Sequence, residues 1–307
     1  MDGAAVISVA DLHKTYGDVR AVDGITFEVS KGEVFGLLGP NGAGKTTTIE
    51  ILEGLNSSDS GTVSVLGLDP ARDTQQLKER IGVQLQTAAL YPNLTVVELI
   101  NVFRSFYEHS RPTSELIDEF GLEERQTGLT KELSGGQRQR LSVALAMVND
   151  PELIFLDEPT TGLDPQARRS LWDRVAALKA QGKTVVMTTH YMEEAEQLCD
   201  RVAIMDHGHI LELGTVSEVV SAHFKERSVR FESRPQLDDG RLSGLRAVSH
   251  VAHEVDETVL YTTDVPATIG DLERVAEEVG ASSLDVTVKR PTLEDVFLEL
   301  TGRALRD

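Results

Sequence analysis

The octapeptide Gly39-Pro40-Asn41-Gly42-Ala43-Gly44-Lys45-Thr46 constrains this chain more than any other stretch. It follows an apolar run, VFGLL (34–38), and opens the helical pattern TTTIEILEGL. A strand that turns through glycines into a helix directs successive backbone N–H groups into one concave loop, and the helix N-terminus adds partial positive charge. Such a loop holds phosphates. Lys45 places an ammonium beside the outer phosphates, and Thr46 offers its hydroxyl to Mg²⁺. The candidate nucleotide contacts here are Gly39, Pro40, Asn41, Gly42, Ala43, Gly44, Lys45, Thr46 and Thr47.

Strand–loop–helix units of this kind belong to α/β folds, and the rest of the first two thirds agrees. ISV (7–9) and ITFEV (25–29) read as strands, and LIFL (153–156), TVVMTT (184–189) and VAIMDHG (202–208) are near-continuous apolar runs, as expected of parallel strands buried on both faces. Between them, residues 90–148 show helical periodicity and are expected to form a helical subdomain. After Gly214 a linker helix (215–227) leads to a smaller region, 228–307, with the predicted order βαββαβ of a ferredoxin-like domain. It closes on a helix that Thr292 can cap, with Leu293, Val296, Phe297 and Leu300 on one face.

Composition narrows the function classes. Thirty basic against 50 acidic side chains give a net charge of −20, the wrong sign for a broad grip on nucleic-acid phosphates, so no nucleic-acid partner is expected. The anion site predicted above is local and backbone-built, which reconciles it with that charge. The sequence offers no apolar run of spanning length and no signal peptide, so membrane contact is expected only through a protein partner. A single cysteine, Cys199, excludes an internal disulfide and points to a reducing compartment.

A second cluster follows an apolar strand: LIFLDE ends in Asp157 and Glu158. A buried strand end holds Asp157 where it can order Mg²⁺, and a carboxylate one residue on can orient or deprotonate a water.

Leu133-Ser134-Gly135-Gly136-Gln137-Arg138-Gln139-Arg140, upstream of LIFLDEP, resembles the signature of ATP-binding cassette (ABC) ATPases. Across residues 6–214 the chain is similar to that family, which implies an α/β P-loop cassette: a RecA-like core with antiparallel β and α-helical subdomains. The resemblance further implies that Tyr16 stacks on adenine, that Gln86 is the glutamine touching Mg²⁺ or the water, that Asp164 belongs to the loop reaching a second cassette, and that His190 is the switch histidine. Catalytic roles fall to Glu158, His190 and Gln86, and metal contacts to Thr46, Gln86 and Asp157. Ser134, Gly135, Gly136 and Gln137 start a helix and form a second anion cradle. In the family ATP is sandwiched between one chain's P-loop and another's signature, so a homodimer is expected.

The closing PTLEDVFLELTGRALRD, after a small domain, resembles the ATP-binding subunits of the daunorubicin/doxorubicin-resistance type, which work with separate ABC-2 type permeases. The resemblance implies a peripheral subunit on the cytoplasmic face of the cell membrane, driving export of a drug, antibiotic or lipid-like compound. The alternative is a soluble ATP-dependent switch protein that dimerises on ATP and acts on a cytosolic partner.

Overall fold

The computed structural model describes residues 5–85, 90–232, 237–253, 257–280 and 284–302. They form two compact units, dividing between residues 216 and 217. The first begins with strands β1 (Ala5–Tyr16), β2 (Val19–Ser30) and β3 (Val34–Leu38), helix α1 (Lys45–Leu52), β4 (Ser60–Val65), α2 (Thr74–Lys78) and β5 (Ile81–Gln84). Helices α3 (Val96–Arg104), α4 (Thr113–Glu119) and α5 (Gly135–Ala146) follow. The unit then continues through β6 (Leu153–Asp157), α6 (Pro165–Ala180), β7 (Thr184–Thr189), α7 (Met192–Leu198), β8 (Arg201–Asp206) and β9 (His209–Thr215).

The main sheet has the order β5-β6-β7-β3-β8-β9, parallel except for the β8–β9 edge pair. Every residue of β3, β6 and β7 is buried, which is why these strands read as unbroken apolar runs. Alternation splits them between two cores. Val34, Ile154, Leu156, Val185 and Met187 pack with α3, α4, α5 and α6 on one face. Phe35, Leu37, Leu153, Phe155 and Val186 pack on the other with α1 and with the antiparallel sheet β2-β1-β4. Phe27 of β2 stacks on Phe35 of β3 at a centroid distance of 5.4 Å.

Residues 90–148 are helical, but they do not pack apart from the sheet. Leu141, Val143, Ala144 and Leu145 of α5 share one hydrophobic cluster with α3, α4 and α6 and with strands β3, β6 and β7. Three strands that the apolar-run criterion passed over, β4, β5 and β9, are short or lie at edges. The burial of β9 alternates with exposure, a pattern that half-buried strands produce.

The second unit contains α8 (Val216–His223, whose first residue falls in the first unit), β10 (Arg227–Glu232), α9 (Asp239–Ser243), β11 (Val248–His253), β12 (Glu257–Thr262), α10 (Val265–Glu278), β13 (Val286–Lys289) and α11 (Leu293–Thr301). Its sheet order β11-β12-β10-β13, with every neighbouring pair antiparallel, is the ferredoxin-like arrangement of βαββαβ. Val229, Phe231, Leu260, Leu272 and Val275 form its core. Thr292 caps α11 in a reciprocal capping box with Asp295, and Leu293, Val296 and Phe297 on that helix are buried while Leu300 is half-buried. No helix among the described residues is long and apolar enough to cross a membrane.

Candidate active site

The phosphate-binding loop hangs from the C-terminal end of β3, a central strand flanked by β7 and β8. Gly39 and Gly44 have φ of 152° and 103°. A Cβ at Gly39 would strike the Met205 carbonyl, and one at Gly44 the Ala21 carbonyl, so close approach of backbone to backbone forbids a side chain at either position. Helix α1 begins at Lys45, whose side chain is 4% exposed. Its Nζ donates to the carbonyls of Gly39 (2.7 Å) and Pro40 (3.1 Å) and lies 3.6 Å from Glu158 Oε1. Burial lowers the Lys45 pKa, and the charges of Glu158 and Asp157 oppose that shift. The ammonium is thus held folded back across the mouth of the loop by weak acceptors that phosphate oxygens can replace.

The acid pair sits one strand beyond β7. Pairing of β6 with β7 sets Asp157 opposite Thr188, and the Thr188 hydroxyl donates to Asp157 Oδ1 while accepting from the Glu158 N–H at 2.9 Å. Burial raises the Asp157 pKa, and the hydrogen bond from Thr188 opposes the rise. Thr46 Oγ1 is 3.4 Å from Asp157 Oδ2, so two oxygen donors of the kind Mg²⁺ accepts converge from α1 and β6.

Glu158 itself has φ of 44°, a left-handed conformation that costs a non-glycine residue on the order of 1–3 kcal/mol. That turn swings its carboxylate out of strand direction. Its Oε2 accepts from Thr161 Oγ1 at 3.2 Å and lies 3.3 Å from His190 Nδ1, while Oε1 faces Lys45. Lys45, Asp157, Glu158, Thr46 and His190 therefore form one cluster. His190 is packed against Tyr191 (centroids 4.1 Å apart), and the guanidinium of Arg168 lies 4.6 Å above the Tyr191 ring.

The signature occupies a different cleft. Ser134 caps α5, and its box partner is Gln137: the Ser134 N–H donates to Gln137 Oε1 (2.9 Å), and the Gln137 N–H to Ser134 Oγ (3.3 Å). A Cβ on Gly136 would lie 3.0 Å from Ala167 Cβ, so the glycine lets α5 approach the start of α6. Asp164 caps α6 through the Ala167 N–H at 2.8 Å, with Pro165 in the first turn. Ser134, Gly135, Gly136, Gln137 and Asp164 together line a cleft of about 450 Å³, and no P-loop residue lines it.

Tyr16 ends β1 in the antiparallel sheet, 47% exposed, its hydroxyl hydrogen-bonded to Asn56 Nδ2. Asn56 Nδ2 also reaches Glu50 Oε2 at 3.2 Å. Gln86 lies outside the described residues. Cys199 is a free thiol whose pKa burial pushes far up. Thr188 and Thr161 escaped the sequence reading, since a threonine inside a β-branched strand or in a turn looks like any other residue there. The signal that exposes Thr188 is the register of β6 on β7.

A glycine cradle on a parallel sheet, an acid pair on a neighbouring strand and a second helix-start cradle define a P-loop ATPase of the cassette kind. The chain belongs to the ABC transporter family: the profile described as ABC transporter matches residues 22–161, and relatives align along almost its entire length. It is 38% identical over 312 residues to the Nod factor export ATP-binding protein I of Ralstonia nicotianae, covering 98% of this chain and 95% of that one. It is 36% identical to the linearmycin resistance ATP-binding protein of Bacillus subtilis (98% and 100% covered). Its identity to a daunorubicin resistance ATP-binding protein of Streptomyces coeruleorubidus is 38%, with 96% of each covered. Among solved structures, an ATP-binding subunit of an ABC transporter matches with a TM-score of 0.65 at 31% identity, over 71% of this chain and 92% of that one. A dimeric post-hydrolysis cassette bound to ADP and Pi matches with a TM-score of 0.63 at 26% identity, covering 68% and 98%. The protein binds and hydrolyses ATP.

Proposed function

We propose that this chain is the motor subunit of an ABC-2 type exporter, a peripheral protein on the cytoplasmic face of the membrane that pairs with a separate permease. The names of its relatives, which concern export of Nod factor and resistance to linearmycin and daunorubicin, support a small-molecule or lipid-like cargo. One observation carries the two-chain part of the reading: Lys45 and Ser134 serve different clefts of one chain. Two copies related by a two-fold axis would bring each P-loop to the partner's signature and complete two sites.

Within a site, Thr46 and Asp157 would hold Mg²⁺ through oxygen, with Gln86 as a further contact. The ion would neutralise charge on the outer phosphates and relieve the desolvation of Asp157. Lys45 exchanges its carbonyl acceptors for phosphate oxygens. Glu158 takes a proton from water as the water oxygen bonds to the γ phosphorus, and the bond from that phosphorus to the β–γ bridging oxygen breaks, releasing ADP and phosphate. His190, beside Glu158, donates to the γ-phosphate oxygens. Tyr16 offers a ring face to adenine.

Glu158→Gln tests this reading. The amide preserves shape but takes no proton, so ATP should bind, turnover should stop and an ATP-dependent dimer should persist in size-exclusion chromatography. Ser134→Arg on that background should return a monomer that still binds ATP. A monomer with near-normal turnover in Glu158→Gln would contradict both the base and the sandwich. For the exporter role, co-expression of the permease should raise both the membrane-bound fraction of the tagged protein and its turnover. No rise in either would overturn that part.

A further inference from the structure

The second unit carries a cleft that the ATPase chemistry does not use. Cross-strand register assembles its floor. Ser228 of β10 lies opposite Tyr261 of β12 and Lys289 of β13, and directly opposed residues share a face. Arg230, two residues along, shares it too. The opposite face carries the core residues Val229, Phe231 and Leu260. The last residue of α8 and the segment that follows it, residues 223–226, form one wall, and residues 290–292 before α11 form the other, enclosing about 650 Å³. That volume falls within the ordinary range for small-molecule sites.

The charge of this cleft runs against that of the chain. Arg230 is paired with Glu257 at 3.3 Å, His223 lies 3.5 Å from Glu299, and the Asp295 carboxylate accepts the Thr292 N–H and hydroxyl in the cap of α11. Lys225, Lys289 and Arg290, all exposed, make no ion pair among the described residues. Glu226 and Asp295 are the two carboxylates of the lining, against the four cations Lys225, Arg230, Lys289 and Arg290. A local excess of cations thus stands in a chain of net charge −20. Like charges gathered around one concavity repel one another unless an anion sits between them. A carboxylate would satisfy one guanidinium. Three cations from two walls and the floor, with the hydroxyl of Ser228 beside them, suit the near-double charge and three oxygens of a phosphate monoester. The rings of Tyr261 and Phe224 leave room for an organic body next to that phosphate.

We propose that the C-terminal unit binds a phosphate-bearing ligand in the cleft formed by Lys225, Ser228, Arg230, Tyr261, Lys289 and Arg290. The phosphate belongs either to a free small molecule or to a lipid headgroup that ends in a phosphate monoester, and both present the same group to the same cations.

The test uses the full chain and hydrogen–deuterium exchange read in peptides spanning 223–230 and 286–295, which are separate from the P-loop peptide. Inorganic pyrophosphate is titrated in one arm and vesicles containing phosphatidic acid, whose headgroup is a phosphate monoester, are added in the other, at constant ionic strength. Protection of both peptides is expected, in the first arm for a free ligand and only in the second for a headgroup. Lys289→Glu/Arg290→Glu should weaken it at least about tenfold, as loss of charge-assisted contacts does. Lys225→Glu, on the opposite wall, should do the same without touching β13. Lys31→Glu/Lys78→Glu, which changes net charge equally on the first unit, should leave it intact. Absence of protection in both arms, or equal protection in the cleft variants and the control, overturns the proposal.

Discussion

Replacing Glu53 with glutamine should make the stability of the cassette less sensitive to pH. Glu53 ends α1, 1% exposed, and neither carboxylate oxygen has a hydrogen-bond partner among the described residues. Burial, with the charges of Asp157 and Glu50 adding to it, pushes its pKa from 4.5 to about 8. The folded chain therefore keeps a proton that the unfolded chain releases near pH 4.5. The unfolded state binds fewer protons between those values, so the contribution of Glu53 is fully present below pH 4.5 and is lost as pH rises through 8. The slope inside that window is about 1.4 kcal/mol per pH unit. From pH 6 to pH 8, with the slope falling as the folded group itself begins to ionise near pH 8, the natural chain should then lose about 2.3 kcal/mol relative to Glu53→Gln, which cannot ionise. For a domain of this size that is a differential shift of roughly 5–9 °C in Tm. The assay is denaturant unfolding without nucleotide at pH 6, 7 and 8, followed by the fluorescence of Trp172, the one tryptophan, which lies in α6 and so reports on the first unit. Asp157 and Glu194, also raised by burial, are present in both proteins and largely cancel in the difference. Parallel pH dependence of the two proteins would show that Glu53 is already ionised when folded and would refute the reasoning.

Lys45→Ala should weaken ATP binding roughly tenfold to 150-fold in calorimetry, since a buried charge-assisted contact is lost; unchanged affinity would remove Lys45 from the phosphate site. Thr188→Val deletes the hydroxyl that joins Asp157 to the Glu158 N–H, leaving a buried donor unpaired at a cost of about 1–3 kcal/mol. Turnover should fall and the acid limb of its pH profile should move upward, because Asp157 loses the hydrogen bond that opposes its raised pKa. Thr188→Ser should restore both, and an equal loss in serine and valine would assign the effect to packing. A chain ending at residue 226 should remain folded and bind ATP with unchanged affinity, since every ATP-contacting residue proposed above precedes that point; lost affinity in a folded truncation would tie the second unit to the nucleotide site.

Much of this protein is legible in its sequence because local physics fixes it. Glycines at 39 and 44 are needed wherever a backbone must double back against another, and Ser134, Asp164 and Thr292 cap their helices within three residues of themselves. Buried parallel strands announce themselves as apolar runs for the same reason, since neither face of β3, β6 or β7 meets water. The predicted order of the C-terminal elements matched the ferredoxin-like sheet because alternation and turn chemistry are short-range signals.

What only the tertiary structure decided depends on which strands lie side by side. The register of β6 on β7 brings Thr188 to Asp157 across 31 residues, and the order β6-β7-β3 brings Glu158 within 3.6 Å of Lys45. No periodicity encodes those contacts, because a parallel pairing leaves no local trace of its partner. The burial of Glu53 has the same origin: its position at the end of α1 is local, but its desolvation comes from a core assembled by distant strands. The basic cleft is the extreme case. Lys225 and Lys289 stand near opposite ends of the second unit's sequence, and the pairing of β10 with β13 brings both to one cleft.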